Sequence, residues 1–148
     1  ISIVETFAQQ AQIHEDEQKY TAAIKDYQNI LQFSLQFYNQ EGLGSRRNKR
    51  DLLSLHERAM FKLPDVTYKD SQQTANDKKI AAQGYVDAAK TYPKSKVADV
   101  ALWQAALLFS ESQSIAEAVE TLRHFVDNYP NSKHVEDAKS LLQRLPQK

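Results

Sequence analysis

The chain has 148 residues, and its 19 basic and 19 acidic side chains cancel to a formal net charge of zero. Balanced charge removes any general electrostatic attraction to nucleic acid or an anionic membrane, and the lack of cysteine excludes disulfides, thiolate metal sites and a cysteine nucleophile. With only three glycines and four prolines, the composition predicts a soluble helical protein without a sheet.

Two amphipathic helices are predicted in the first forty residues. The first has the Ser-x-x-Glu spacing of a capping box at Ser2 and Glu5 and runs to about Glu15. The second carries a long apolar stripe to about Tyr38 and is broken by the glycines that begin at Gly42.

A third helix is predicted between about residues 47 and 63. Proline lacks the amide proton and clashes with the preceding turn, so Pro64 is predicted to stop this helix. Residues 65–76 are polar and show no periodicity, which predicts a surface loop before the fourth helix.

An internal repeat organises the second half of the chain. The tetrapeptide Tyr92-Pro93-Lys94-Ser95 returns 37 residues later as Tyr129-Pro130-Asn131-Ser132. Each copy ends one amphipathic stretch and opens another, because proline also moves the residue before it out of the helical region. The fourth to seventh helices flank these copies, and Ser114 and Glu117 form a second capping-box pattern at the start of the sixth. The pattern predicts stacked helix pairs instead of one closed core.

The fifth and sixth helices resemble a tetratricopeptide repeat. The resemblance places the small, large and terminal positions of the family pattern at Ala106, Phe109, Ala118, Leu122, Phe125 and Pro130. The linker pattern Y-P-x-S-x-x-A-x-x-A, seen twice, is similar to the subtype found in periplasmic Tol–Pal-associated proteins and in lipoproteins of outer-membrane β-barrel assembly. The resemblance implies an all-α, right-handed superhelix of antiparallel helix pairs with about seven helices.

On this interpretation the chain is a single tetratricopeptide-like domain, 1–148. Its parts are a first repeat, an irregular lengthened repeat, a third repeat and a terminal helix, over residues 1–40, 46–92, 96–130 and 133–145.

Stacked helix pairs of this kind line a concave groove with the exposed positions of their first helices. In the third repeat these positions are Val100, Trp103, Leu107, Ser110 and Glu111, and in the first repeat they include Glu5, Gln12, Glu15 and Asp16. Such a groove would suit a segment with apolar anchors and some positive charge. The alternatives are a packed ring for Trp103 and a solvated helix end for the acidic residues.

A basic run after the glycines is the sharpest charge feature: Arg46, Arg47, Lys49 and Arg50. It could bind an anion or an acidic protein partner, or it could be a solvated loop, and the sequence leaves these three readings open.

Catalytic patterns are weak, so we predict that the chain is not an enzyme and takes no cofactor or metal. No two of its four histidines are spaced i,i+4, and no G-x-S-x-G elbow is present.

The leading hypothesis is a non-enzymatic scaffold that binds a peptide segment or partner protein, in the periplasm or otherwise associated with the bacterial envelope. Expected partners are proteins or peptides, with no nucleic acid and no membrane span; the chain begins with Ile1, which leaves room for a removed signal or lipid anchor. The alternatives are a structural slice of a longer repeat array or homo-oligomer through Leu141, Leu142 and Leu145, a regulatory or targeting segment of a larger enzyme, and a cytoplasmic location.

Overall fold

The computed structural model describes residues 2–40 and 46–146. These residues form seven helices and no strand, which confirms the predicted all-α helical-repeat fold. The chain divides into two compact units, Ile1–Asp70 and Ser71–Lys148, called here the N-terminal and C-terminal units. The division into three repeats stays a prediction.

The N-terminal unit contains α1 (Ser2–Asp16), α2 (Tyr20–Tyr38) and α3 (Arg46–Asp70). Both α1 and α3 pack against α2. Their apolar stripes meet in one core, which is formed by Val4, Ala11, Ala23, Tyr27, Ile30, Leu52, Ala59 and Val66. Alanines in this core let the helix backbones approach closely, and Tyr27 and Ile30 fill the remaining volume.

The prediction that Pro64 stops the third helix is wrong, and the predicted loop 65–76 begins six residues too early. Helix α3 continues through the buried Pro64 to Asp70. A proline inside a helix costs about 3 kcal/mol. Val66 beyond it is completely buried, and Asp70 accepts hydrogen bonds of 3.1 and 3.2 Å from the Thr21 hydroxyl on α2, so tertiary contacts offset that cost.

The C-terminal unit contains α4 (Ala75–Thr91), α5 (Ala98–Glu111), α6 (Ile115–Asn128) and α7 (Val135–Arg144). Each helix packs against the next in chain order. Helix α5 lies between two neighbours and buries mainly small side chains, with two larger ones: Ala98, Ala101, Leu102, Ala105, Ala106 and Phe109. The predicted helix ends at the tyrosine-proline linkers are confirmed, since α4 ends one residue before Tyr92 and α6 one residue before Tyr129.

Capping differs from the prediction. The box predicted at Ser114 is wrong, because the Ser114 side chain makes no cap hydrogen bond and its hydroxyl instead lies 3.0 Å from that of Ser112. A complete box occurs at α4, where Thr74 and Asp77 exchange bonds of 3.1 Å between side chain and backbone. The Ser2 side chain of the other predicted box lies outside the described residues.

The α1–α2 and α5–α6 hairpins close with the same turn. Gln18 and Gln113 each have a positive φ, 59° and 62°, near the middle of the turn. The residue after each glutamine donates its amide proton to a carbonyl five residues earlier, Lys19 to His14 at 2.7 Å and Ser114 to Phe109 at 2.8 Å. The two hairpins are therefore built alike, although their sequences share little.

Candidate functional site

Helix α5 presents two different faces. Leu102 and Phe109 are seven residues apart, about two turns, so they share a face, and each is at most 2% exposed. Val100, Trp103 and Leu107 lie roughly 100 to 160° around the helix from that face and are only half-buried. We call these three side chains the α5 strip. They are the apolar part of the groove that the sequence predicts in the third repeat.

The Trp103 side chain is partly packed against other rings and partly accessible at the surface. Its ring stacks on that of His134 with centroids 5.8 Å apart and an angle of 14° between planes, and it lies 6.5 Å from the ring of Phe125. Part of the indole stays accessible. Trp103 is therefore packed on one side and accessible on the other, and its place in a binding groove stays a prediction.

The other predicted positions on α5 are polar. Ser110 is half-buried, and Glu111 is exposed and pairs with Lys78 of α4 at 3.2 Å. This pair is on the surface, so it contributes little to stability. A partner could therefore displace it at small cost.

Positions on α7 that correspond to the α5 strip carry polar side chains. A shift of 37 residues takes Val100, Trp103 and Leu107 to Asp137, Ser140 and Arg144, which are all exposed. We call these the α7 strip. Helix α7 buries Ala138, half-buries Leu141 and Leu142 and packs on α6, and Leu145, which follows the helix, is also half-buried. The leucines that could have formed an apolar outer face are therefore partly covered within the chain.

The acidic positions predicted in the first repeat have unequal surroundings. Glu5 and Asp16 are exposed. The Glu15 side chain is only 10% exposed, and its carboxylate accepts hydrogen bonds from the Tyr27 hydroxyl at 2.8 Å and the Lys62 ammonium at 3.2 Å. Burial and this bond to Glu15 raise the pKa of Tyr27. Glu15 thus ties α1 to α2 and α3 and is not available to a partner in this arrangement.

Gln12 is also engaged within the N-terminal unit. Its side-chain oxygen accepts a 2.7 Å hydrogen bond from Arg58 of α3, and its amide nitrogen donates to Asp16 at 2.8 Å. The strongest signal for these contacts is the pair of cations Arg58 and Lys62, one turn apart on α3, whose charge is opposite to that of the acidic residues on α1. The sequence does not show which α1 residues lie beside them, because the alignment of α3 against α1 cannot be read from it.

The basic run opens α3. Arg46, Lys49 and Arg50 are exposed, and the Lys49 ammonium lies 5.4 Å from the ring centroid of Tyr38. The Arg47 side chain and residues 41–45 lie outside the described residues. Cations at a helix N-terminus oppose the helix dipole, so this end gains electrostatically from any nearby negative charge.

One cleft was not predicted. It has a volume of about 260 Å³ and lies between α4 and α6 above Leu102 and Phe109 of α5. Polar side chains form its rim: Gln83, Lys90, Glu117, Glu120 and His124. An ion pair of 3.4 Å joins Lys79 to Glu117 near the first turns of α4 and α6. Leu102 and Phe109 at the floor of the cleft are buried, so the side chains of α4 and α6 supply most of its accessible lining.

A membrane span or a metal site would be a further functional feature of the described residues. No helix among them is both long enough and apolar enough to cross a membrane. Within 2–40 and 46–146, no three His, Asp or Glu side chains are grouped so that they could hold a metal ion. His14 has a structural partner, since its Nδ1 lies 2.6 Å from a carboxylate oxygen of the buried Asp26.

Comparison with known families identifies one segment. The tetratricopeptide repeat family model matches residues 100–132, which cover most of α5, all of α6 and the second tyrosine-proline linker. A comparison with curated proteins gave no match. The segment is therefore similar to a tetratricopeptide repeat, a kind of repeat whose stacked helices provide extended binding surfaces. The predicted relation to Tol–Pal and outer-membrane assembly proteins stays a prediction.

Proposed function

We propose that this chain is a non-enzymatic scaffold that binds a peptide segment or partner protein along the α5 strip, within a bacterial envelope assembly. The observation that carries the proposal is the α5 strip itself. Val100, Trp103 and Leu107 remain accessible on the α5 face that lies away from its buried side, within the segment that matches a tetratricopeptide repeat.

The energetics of the strip favour binding. Burying apolar surface contributes about 25 cal/mol for each Å² removed from water, and tryptophan is one of the side chains that most often dominate binding energy. Trp103 is already held by His134 and Phe125, so little side-chain entropy is lost when a partner covers it.

The envelope location is supported by the two Tyr-Pro-x-Ser linkers, which resemble those of periplasmic repeat proteins. Fractionation of cells that express the full gene product would test it. Recovery of the protein in the cytoplasm alone would remove the envelope from the proposal and leave the binding role.

The binding role is tested by capture from envelope extract with three purified proteins. Leu107→Gln changes the strip without removing a ring contact, and we expect it to lose at least tenfold in captured partner. Glu120→Gln, an exposed change on α6, is the matched control and should capture as wild type does.

A fourth purified protein shows whether the α5 strip or the basic run binds the captured partner. Changing Arg46, Arg47, Lys49 and Arg50 to Gln should leave capture intact if the strip is the binding surface. Loss of capture in this protein, with retention in Leu107→Gln, would contradict the proposal. Circular dichroism of each variant establishes that helicity is unchanged.

A further inference from the structure

The two strips of the C-terminal unit differ in chemistry at corresponding positions. The α5 strip is apolar, whereas the α7 strip places a carboxylate at Asp137 and a guanidinium at Arg144, with Ser140 between them. The polar character of the α7 strip is not shared by all sides of α7, because another side of this helix buries Ala138 against α6. One helix thus supplies apolar contacts and the other supplies one charge of each sign.

The two charges of the α7 strip are two helical turns apart. Val100 and Leu107 are seven residues apart, and so are Asp137 and Arg144. Seven residues span about two turns and roughly 10 Å along the axis. A helical partner repeats its own side chains with this period, so two residues on one of its flanks can lie opposite Asp137 and Arg144.

The two strips are joined at one end. The Trp103 ring stacks on His134, the residue that precedes α7, and the Ser132 hydroxyl donates to Asp99 on α5 at 2.7 Å. These contacts fix the start of α7 beside the first half of α5. The positions of Asp137 and Arg144 relative to the apolar strip are therefore set by the fold.

Both charges are accessible. Asp137 and Arg144 are exposed, and the contact of Arg144 with the Ser140 carbonyl, 3.4 Å from Nε, leaves the two terminal nitrogens of the guanidinium able to donate. A partner can pair with each of them without breaking a buried contact.

We infer that the occupant is an amphipathic helix of a partner protein. Its apolar stripe covers Val100, Trp103 and Leu107, and one flank carries a basic residue opposite Asp137 and an acidic residue, two turns away, opposite Arg144. This inference rests on the proposed function and adds the chemistry of the partner. Pairing of both charges selects the order of charges on the partner, in addition to its hydrophobicity.

Two synthetic helical peptides without tryptophan test the inference. They share one apolar stripe and carry Lys and Glu seven residues apart on one flank, in opposite order. Trp103 is the single tryptophan of the chain, so its fluorescence reports binding directly. Exposed ion pairs contribute modestly, and with two pairs we expect wild type to bind one peptide about fivefold more tightly than the other. The preference should shrink at high salt.

A charge exchange on the protein supplies the decisive comparison. In the double variant Asp137→Arg, Arg144→Asp the preference should reverse. The control exchanges Glu136 and Lys139, an ion pair of 3.4 Å that lies off the strip on the same helix, and it should keep the wild-type preference.

The remaining outcomes separate this inference from the function that it refines. If both peptides bind with equal affinity, as reported by Trp103 fluorescence, the strip binds a helix but Asp137 and Arg144 do not select the order of its charges, and the inference is wrong. If neither peptide changes the signal at millimolar concentration, both the inference and the binding role of the strip are overturned.

Discussion

The hydroxyl of Tyr129 donates a hydrogen bond of 2.7 Å to the carbonyl oxygen of Pro93, so the second tyrosine-proline linker is tied directly to the first. The Ser132 hydroxyl adds a second tie, to Asp99 at 2.7 Å. Burial and the negative charge of Asp99 raise the pKa of Tyr129, which keeps its hydroxyl a donor well above neutral pH. The second copy therefore contacts the first as well as ending a helix.

Removal of the serine tie should destabilise the C-terminal unit. Ser132→Ala deletes a hydrogen bond to a carboxylate, and we expect the free energy of unfolding to fall by about 1.5 kcal/mol. Ser95→Ala is the matched control, because Ser95 and Ser132 each accept a 3.3 Å hydrogen bond from the backbone amide two residues later. The Ser132 hydroxyl also donates a hydrogen bond to Asp99, and that bond is what the comparison isolates. Urea unfolding followed by Trp103 fluorescence measures both. Equal losses would mean that the tie between the copies contributes nothing.

Local signals were sufficient for most helix boundaries but failed at Pro64. The linkers at Tyr92 and Tyr129 end helices because proline and the exit from the helical region act within a few residues. At Pro64 the same signal was overruled by the burial of Val66, which depends on α2 lying alongside. No local pattern contains that information.

For the candidate site too, the sequence predicted which residues share a helix face but not which residues of other helices contact them. The resemblance to a tetratricopeptide repeat indicated that Val100, Trp103 and Leu107 share a face. It could not show that His134 covers one side of Trp103, because that contact joins residues 31 positions apart through the placement of α7. It also could not show that Glu15 is engaged by Tyr27 and Lys62, which lie on two other helices.

Ser34 is a buried hydroxyl whose removal should stabilise the N-terminal unit. Its side-chain oxygen has no hydrogen-bond partner among the described residues, and the residue is 1% exposed. Burying an unsatisfied polar group costs about 1–3 kcal/mol, so Ser34→Ala should raise the free energy of unfolding.

Ser54→Ala on the exposed side of α3 is the control, since it brings the same gain in helix propensity, about 0.5 kcal/mol, without a buried hydroxyl. We expect Ser34→Ala to exceed it by about 1 kcal/mol in urea unfolding followed by circular dichroism. A smaller gain than that of Ser54→Ala would show that the Ser34 hydroxyl is satisfied in solution.

Among the acidic residues predicted to line the groove, Glu15 should matter for stability and Glu5 should not. Glu15→Ala leaves the buried Tyr27 hydroxyl without its acceptor and the Lys62 ammonium without its partner. We expect a loss of about 2 kcal/mol in the free energy of unfolding. Glu5→Ala, an exposed change on the same helix, should stay within about 0.5 kcal/mol of wild type. Similar small effects for both would return Glu15 to the candidate binding residues.

His56 should make the stability of the N-terminal unit depend on pH. Its side chain is buried on α3, and burial lowers its pKa below the ordinary value of 6.5. The folded chain therefore holds His56 neutral while the unfolded chain takes up a proton as the pH falls through 6.5. The unfolded state then binds more protons, so stability is full above this range and decreases below it, by at most about 1.4 kcal/mol for each pH unit.

The variant His56→Gln isolates this contribution, because glutamine does not titrate. Urea unfolding at several pH values between 7.5 and 5 should give a smaller decrease for His56→Gln than for wild type, whatever the absolute stability of the variant. His124→Gln is the control, because it replaces a histidine of the C-terminal unit by the same residue, and it should retain the wild-type decrease. An identical decrease in His56→Gln and wild type would mean that the imidazole reaches water before the unit unfolds.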